Sequence, residues 1–124
     1  MLGKSKKYLG KLGEKIACDF LTKKGYKILR NNYQKLFGEI DIIARDTDIL
    51  VFFEVKTRTS NKFGSGAEAV TRKKQEKLIK TAYCYLNEKK MRDNEFRIDV
   101  LSINLNFNRR RAKITHFRNA IGEN

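Results

Sequence analysis

Two segments, GEIDIIARD (38–46) and ILVFFEVKTR (49–58), constrain this chain most, because they are dense in Ile, Val and Phe and only Thr47 and Asp48 separate them. Runs of that composition, bounded by Gly- or Asp-containing turns, read as β-strands, and a two-residue connection joins an antiparallel pair. Residues two apart on a strand share a face, so Glu54 and Lys56 point the same way. A Thr47-Asp48 turn closed by Asp46 and Ile49 places Asp41 directly across from Glu54, and Glu39 across from Lys56, on that same face. A slip of one residue would take Asp41 off Glu54.

The rest of the chain supplies partners for this hairpin. Leu9, Leu12, Ile16 and Phe20 recur at three- and four-residue spacing and predict the core face of a first helix ending at Gly25, after Lys23 and Lys24. YKILRNNY predicts a strand before the hairpin, giving a three-strand meander. Ser65 followed by Glu68 has the spacing of a capping box, so a second helix is expected from there through AEAVTRKKQEKLIKTAYCYLNEK. Its core side gathers Ala67, Val70, Thr71, Leu78, Ala82, Tyr85 and Leu86. FRIDVLSIN alternates as a further strand, and AKITHF predicts a last one at the sheet edge. Without proline, repeats or a low-complexity tract, residues 1–124 read as one α/β domain, a mixed central sheet flanked by helices.

Directly opposed strand residues have Cβ atoms about 5 Å apart, where two carboxylates repel by roughly 3 kcal/mol at an effective dielectric of about 20. Lys56, a raised pKa on one acid, or a bound cation would offset that. A hard divalent ion such as Mg²⁺, or Mn²⁺ in its place, suits two carboxylates plus phosphate oxygens. An adjacent ammonium can orient or deprotonate an attacking water, or stabilise charge developing on phosphate. The pattern therefore makes sense as phosphodiester hydrolysis. The plainer alternative is a charged surface strand in which Glu39 and Lys56 form a cross-strand ion pair.

Charge bears on the partner. Twenty-eight Lys and Arg against 14 Asp and Glu give +14, which opposes compaction and favours a polyanion. Nucleic acid fits best, since each phosphate neutralised releases condensed counterions, and DNA is preferred over RNA. Cys18 and Cys84 lack CxxC or Cys/His spacing, so neither a disulfide framework nor a zinc site is expected, and free thiols suit a cytoplasmic location. The basic N-terminal segment has no unbroken apolar stretch of the signal-peptide kind, and no run is long enough to span a membrane.

The spacing of Asp41 from Glu54-Val55-Lys56 on adjacent strands between two helices resembles the PD-(D/E)XK nuclease superfamily. More closely, GKLGEKIACDFLTKKGYKILRNNY, GEIDIIARD, VFFEVKTR, FGSGAEAVTRKKQEKL and FRIDV, in that order from about Gly10 to His116, resemble the bacterial YraN family. That resemblance implies a restriction-endonuclease-like core of the Holliday-junction-resolvase kind, with Asp41 and Glu54 as metal ligands, Lys56 as catalytic lysine and Glu14 as a further acid. The superfamily's proline is absent, and Ile40 precedes Asp41 instead.

Other residues carry two readings each. Glu14 flanks the first helix's apolar stripe and either reaches a metal or faces water. Arg58 either clamps a phosphate or is solvated. Lys74 and Gln75 fall in or beside the sheet-facing stripe of the second helix, where polar groups need a partner or a wet cavity. Lys62, Lys73, Lys77 and Lys80 are candidates for sequence-independent phosphate contacts. Arg109 to Arg111 read as a turn in preference to a grip, His116 as an edge-strand residue, and Tyr83 and Tyr85 as packing residues. The leading expectation is a Mg²⁺- or Mn²⁺-dependent DNA endonuclease with branched or structured DNA among its substrates. The others are a catalytically silent binding module and an assembly factor for an RNA-protein particle. A homodimer would suit symmetric branched DNA.

Overall fold

The computed structural model describes residues 6–59 and 70–122. Along the chain come α1 (Lys6–Lys23), β1 (Lys27–Lys35), β2 (Gly38–Asp46), β3 (Ile49–Arg58), α2 (Arg72–Glu88), β4 (Phe96–Asn106) and β5 (Arg111–Ile121). The strands form one sheet in sequential order, β1-β2-β3-β4-β5. Every neighbouring pair is antiparallel except β3 and β4, which run parallel from Leu50↔Phe96 to Arg58↔Asn104. A parallel pair needs a long crossover, and α2 lies within it. The mixed α/β order expected from the sequence is thus observed, and it is consistent with a restriction-endonuclease-like core.

The central strands are buried on both faces. On one, Tyr33, Ile43, Phe52 and Val100 pack with Leu78, Ala82, Tyr85 and Leu86 of α2. On the other, Ile42, Val51, Phe53 and Leu101 pack with Ala17 and Leu21 of α1. Helices therefore cover opposite sides of the sheet.

The first helix departs from expectation in which residues sit deepest. Gly13, Ala17 and Leu21 are buried, whereas Leu9, Leu12, Ile16 and Phe20 flank them, partly covered. The reason is close approach: a Cβ built on Gly13 would lie 1.9 Å from Thr57 Oγ1, so the helix backbone rests on β3 where only glycine fits. The helix ends as its sequence implies. Gly25 takes φ +97°, and Tyr26 N–H to Leu21 O (3.0 Å) with Gly25 N–H to Thr22 O (3.1 Å) closes a Schellman motif.

The second helix needs a correction. Val70 and Thr71 precede it, and the helix starts at Arg72. Thr71, expected on the core side, is the exposed N-cap, its side chain accepting from Lys74 N–H at 3.2 Å. Ser65, Ala67 and Glu68 lie outside the described residues. Elsewhere Arg109 and Arg110 form the expected turn before β5, with Arg109 N–H bonded to Asn106 Oδ1 at 3.1 Å. Cys18 and Cys84 are free thiols, and among the described residues no helix is long and apolar enough to cross a membrane.

Candidate functional site

The Thr47-Asp48 turn forms as expected, with Thr47 at φ 56° and Asp46 paired to Ile49. The β2–β3 ladder continues in that register only to Ile42↔Phe53 and stops one residue short of Asp41 and Glu54. The expected direct pairings of Asp41 with Glu54 and of Glu39 with Lys56 are therefore not ladder pairs. Instead, Asp41 Oδ2 accepts the Val55 N–H at 2.7 Å, a side chain replacing the backbone carbonyl that a continued ladder would present. Glu39 pairs across β1 with Gln34, whose Nε2 donates to it at 3.3 Å.

The strand changes facing at this point. Ile40 and Ile43 both pack on the α2 side, while Ile42 and Ala44 pack on the α1 side, so strict alternation slips across Asp41. On β1, Asn32 lies between the partners of Ile42 and Ile40 and takes φ 51°, a conformation Asn tolerates better than most residues. The Asn32 side chain also acts on Glu14 of α1, opposing the rise of its carboxyl pKa. Gly13, by letting α1 sit on Thr57, fixes the height at which the adjacent Glu14 meets the sheet.

From the other face, Leu50 and Phe52 point toward α2, and Glu54 follows them two residues on. Glu54 is only 4 % exposed. A single oxygen, Oε2, meets Lys74 Nζ at 2.6 Å and Lys56 Nζ at 3.6 Å. Because Thr71 caps α2, the first turn holds Arg72, Lys73 and Lys74 and no acid. Three cations at the positive end of a helix dipole are unfavourable alone and attract anions strongly.

Asp41, Glu54, Lys56, Lys74, Lys77 and Glu39 line one cleft of about 220 Å³. Burial, and then the neighbouring charge of Glu54, push the Asp41 carboxyl up to about 8, against the opposing pull of the Val55 N–H. Burial also raises Glu14, with Asn32 opposing. Lys56 is pulled below the ordinary lysine range by burial and by the Lys74 ammonium. Burial would depress Lys74 too, but the hydrogen bond and charge of Glu54 carry it upward. The cleft thus holds an acid whose ionisation is disfavoured beside an amine shifted below its ordinary range.

Among the described residues no three His, Cys, Asp or Glu side chains are grouped closely enough to enclose a metal ion. What the cleft does offer is two carboxylates of hard oxygen type, one of them electrostatically frustrated, with an open side. That donor set fits a divalent cation that keeps most of its water, the habit of Mg²⁺, better than one needing a full protein cage.

The remaining sequence candidates scatter. Lys77 lines the cleft and also a wider groove of about 610 Å³ that Lys73 and Lys80 share. Gln75 turns away, Nε2 donating to Val70 O at 3.0 Å. Arg58 sits at the end of β3 opposite Asn104, and Lys62 lies outside the described residues. Tyr85 is core, and Tyr83 packs edge-on against Phe96. His116 is indeed an edge-strand residue, but its Nε2 lies 2.7 Å from Asp99 Oδ2. Asp99 is fully buried and also takes Arg97 Nε at 3.1 Å and Asn119 N–H at 2.8 Å. Neither this network nor Asn32 is marked by any motif in the sequence. An Asn inside a β-rich run was the only local sign of the latter.

The profile of the family described as "Uncharacterised protein family UPF0102" matches residues 13–103. The UPF0102 protein of Caldanaerobacter subterraneus subsp. tengcongensis is 44% identical over 117 residues, covering 94% of this chain and 96% of that one. The UPF0102 protein of Thermodesulfovibrio yellowstonii is 47% identical over 112 residues, covering 90% and 94%. That of Dictyoglomus turgidum is 47% identical over 97 residues, covering 78% and 82%. The matched stretch contains Glu14, Asp41, Glu54, Lys56 and Lys74 together.

Proposed function

The chain belongs to the UPF0102, or YraN, family, and from that premise and its cleft we propose that it is a nucleic-acid-binding protein that hydrolyses DNA phosphodiester bonds with the help of Mg²⁺ or Mn²⁺. One observation carries the reading: Asp41, Glu54 and Lys56 line a single cleft with Lys74 and Lys77, on a chain of charge +14. Asp41 and Glu54 are the residues to hold the cation, with Glu14 as an outlying acid. When bound, the ion supplies Lewis acidity toward a phosphate oxygen and acidity to a coordinated water.

The chain's own groups have separable tasks. Lys56, beside Glu54 in the cleft, orients the attacking water and stabilises charge developing on the phosphate. Lys74 and Lys77 would hold the non-bridging phosphate oxygens, and the positive end of α2, which has no acid in its first turn, adds to that field. Arg58 and Lys73 extend the basic surface beyond the cleft.

The test is incubation of the purified chain with plasmid, linear, single-stranded and four-way-junction DNA, with Mg²⁺, Mn²⁺ or chelator. Metal-dependent cleavage lost in Asp41→Asn and in Lys56→Met is expected. Cleavage that survives both changes would assign the activity to another site or to a contaminant.

A second reading rests on the Lys74–Glu54 contact at 2.6 Å. An ammonium on the oxygen a cation would need makes a silent binding module self-consistent, in which Lys74 neutralises the buried acid permanently. Salt-sensitive DNA binding indifferent to chelator, without cleavage under either metal, selects that reading.

A further inference from the structure

The tip of the β1–β2 hairpin is unusual for its turn. Lys35 pairs with Gly38, leaving Leu36 and Phe37 as a two-residue loop. Such loops favour Asn-Gly or Gly-containing pairs with positive φ, and neither Leu36 nor Phe37 takes positive φ. Turn chemistry does not call for an apolar pair here. Nor does packing: Leu36 is 102 % exposed and Phe37 40 %. Two large apolar side chains at a hairpin tip are a solubility liability unless something covers them.

Their surroundings identify the occupant. Gly38, at the base of the tip, abuts α2 so closely that a Cβ there would lie 2.8 Å from Thr81 Oγ1 and 3.5 Å from Lys77 Cβ. The tip is thereby braced against the helix that carries the basic groove, and Gly38 also lines the catalytic cleft. Lys80 Nζ stands 6.0 Å from the Phe37 ring centre. Lys73, Lys77 and Lys80 follow at four- and three-residue steps along α2, a row of cations whose last member stands beside Phe37. A second copy of this +14 chain would set like charge against that row, and a protein partner would need an acidic strip and an apolar pocket matched to the row and the tip together. A nucleic acid presents phosphates to the lysines and flat apolar base faces to the tip.

Resting on the nucleic-acid reading above, we propose that Leu36 and Phe37 form a wedge that enters unstacked DNA, at a branch point or an unpaired base, while Lys77 and Lys80 hold the flanking phosphates. Apolar side chains inserted at a base step separate it at an energetic cost, which is least where stacking is already broken. The wedge therefore selects structure over sequence and delivers the strand beside it to the cleft behind Gly38.

The experiment uses the full chain in chelator, so that binding is read without cleavage. Anisotropy titrations compare a four-way junction carrying 2-aminopurine at its branch point with a fully paired duplex of the same length. The wild type is expected to favour the junction and to raise the 2-aminopurine fluorescence. The double variant Leu36→Ser/Phe37→Ser should lose about tenfold in junction affinity and the fluorescence rise while keeping duplex affinity. Lys77→Gln/Lys80→Gln should weaken both DNAs together. Because the tip is exposed, an unchanged melting temperature is expected and reports that the double variant is folded. Undiminished junction preference in the tip variant overturns the wedge alone, whereas absence of binding to either DNA at low salt overturns the wedge and the nucleic-acid reading together. Light scattering that shows a wild-type dimer and a monomeric tip variant would assign the pair to a self-interface and also overturn it.

Discussion

Asp41→Asn separates electrostatic strain from architecture. The asparagine Oδ1 can still accept the Val55 N–H that Asp41 accepts at 2.7 Å, so the local geometry survives while the charge goes. In the folded protein the Asp41 carboxyl titrates at about 8 against 3.8 for an unperturbed aspartate, driven by burial and then by Glu54. Between those values the folded state binds a proton that the unfolded state does not, so stability falls as pH rises through that window and levels off above it. At about 1.4 kcal/mol per pH unit, moving from pH 5 to pH 8 costs the wild type up to roughly 4 kcal/mol that the variant does not lose. Water in the cleft screens part of this, so the variant should gain roughly 5–15 °C in melting temperature relative to wild type over that span. Thermal denaturation at intervals of one pH unit reads the difference directly. Added Mg²⁺ should narrow the gap at pH 8 by stabilising the wild type alone, about 2–3 kcal/mol at a hundredfold excess over Kd. Parallel melting curves for the two proteins across the window would refute the claim that a strained acid is built into this cleft.

Other perturbations probe the supports. Lys74→Gln removes the ammonium at 2.6 Å from Glu54, so Mn²⁺ affinity, followed by the free-ion EPR signal, should rise severalfold even as DNA binding weakens; unchanged affinity would mean that Lys74 does not compete with the cation. Gly13→Ala pushes a methyl toward Thr57 Oγ1 and should lower stability by about 1–3 kcal/mol in urea, despite alanine's better helix propensity, with partial recovery in the Gly13→Ala/Thr57→Ala double variant. Asp99→Asn leaves Arg97 and His116 facing a neutral group in the interior and should cost about 3–5 kcal/mol at neutral pH. Burial works to raise Asp99, yet His116, the Asn119 N–H and Arg97 together hold it below the usual carboxylate range. Its contribution is therefore present above pH 4 and lost as pH falls below it, and the Asp99→Asn deficit should shrink under acid.

The two polar centres divide the sheet between them. Asp99, Arg97 and His116 form a closed network in which each group has a partner, the condition under which buried charge is tolerated. Asp41 and Glu54 sit where the β2–β3 ladder stops, and the frustration there is offset only in part by Lys56 and Lys74. A closed network stiffens the fold, whereas a partnered but electrostatically strained one is available to a ligand.

What the sequence by itself determined is whatever depends on neighbours in the chain. Thr47-Asp48 sets the hairpin register from Asp46↔Ile49 onward, period-two alternation aims Glu54 and Lys56 the same way, and Gly25 ends α1. These follow from local backbone geometry, which a single chain carries in its residue order. Tertiary structure decided where the ladder stops, that Asp41 turns to Val55 N–H, that Gly13 admits α1 onto Thr57 and brings Glu14 to Asn32, and that Lys74 comes down on Glu54. Each of these depends on the distance between elements remote in sequence, which is set when two helices and a sheet pack to fill space, and no pattern within one segment records that distance.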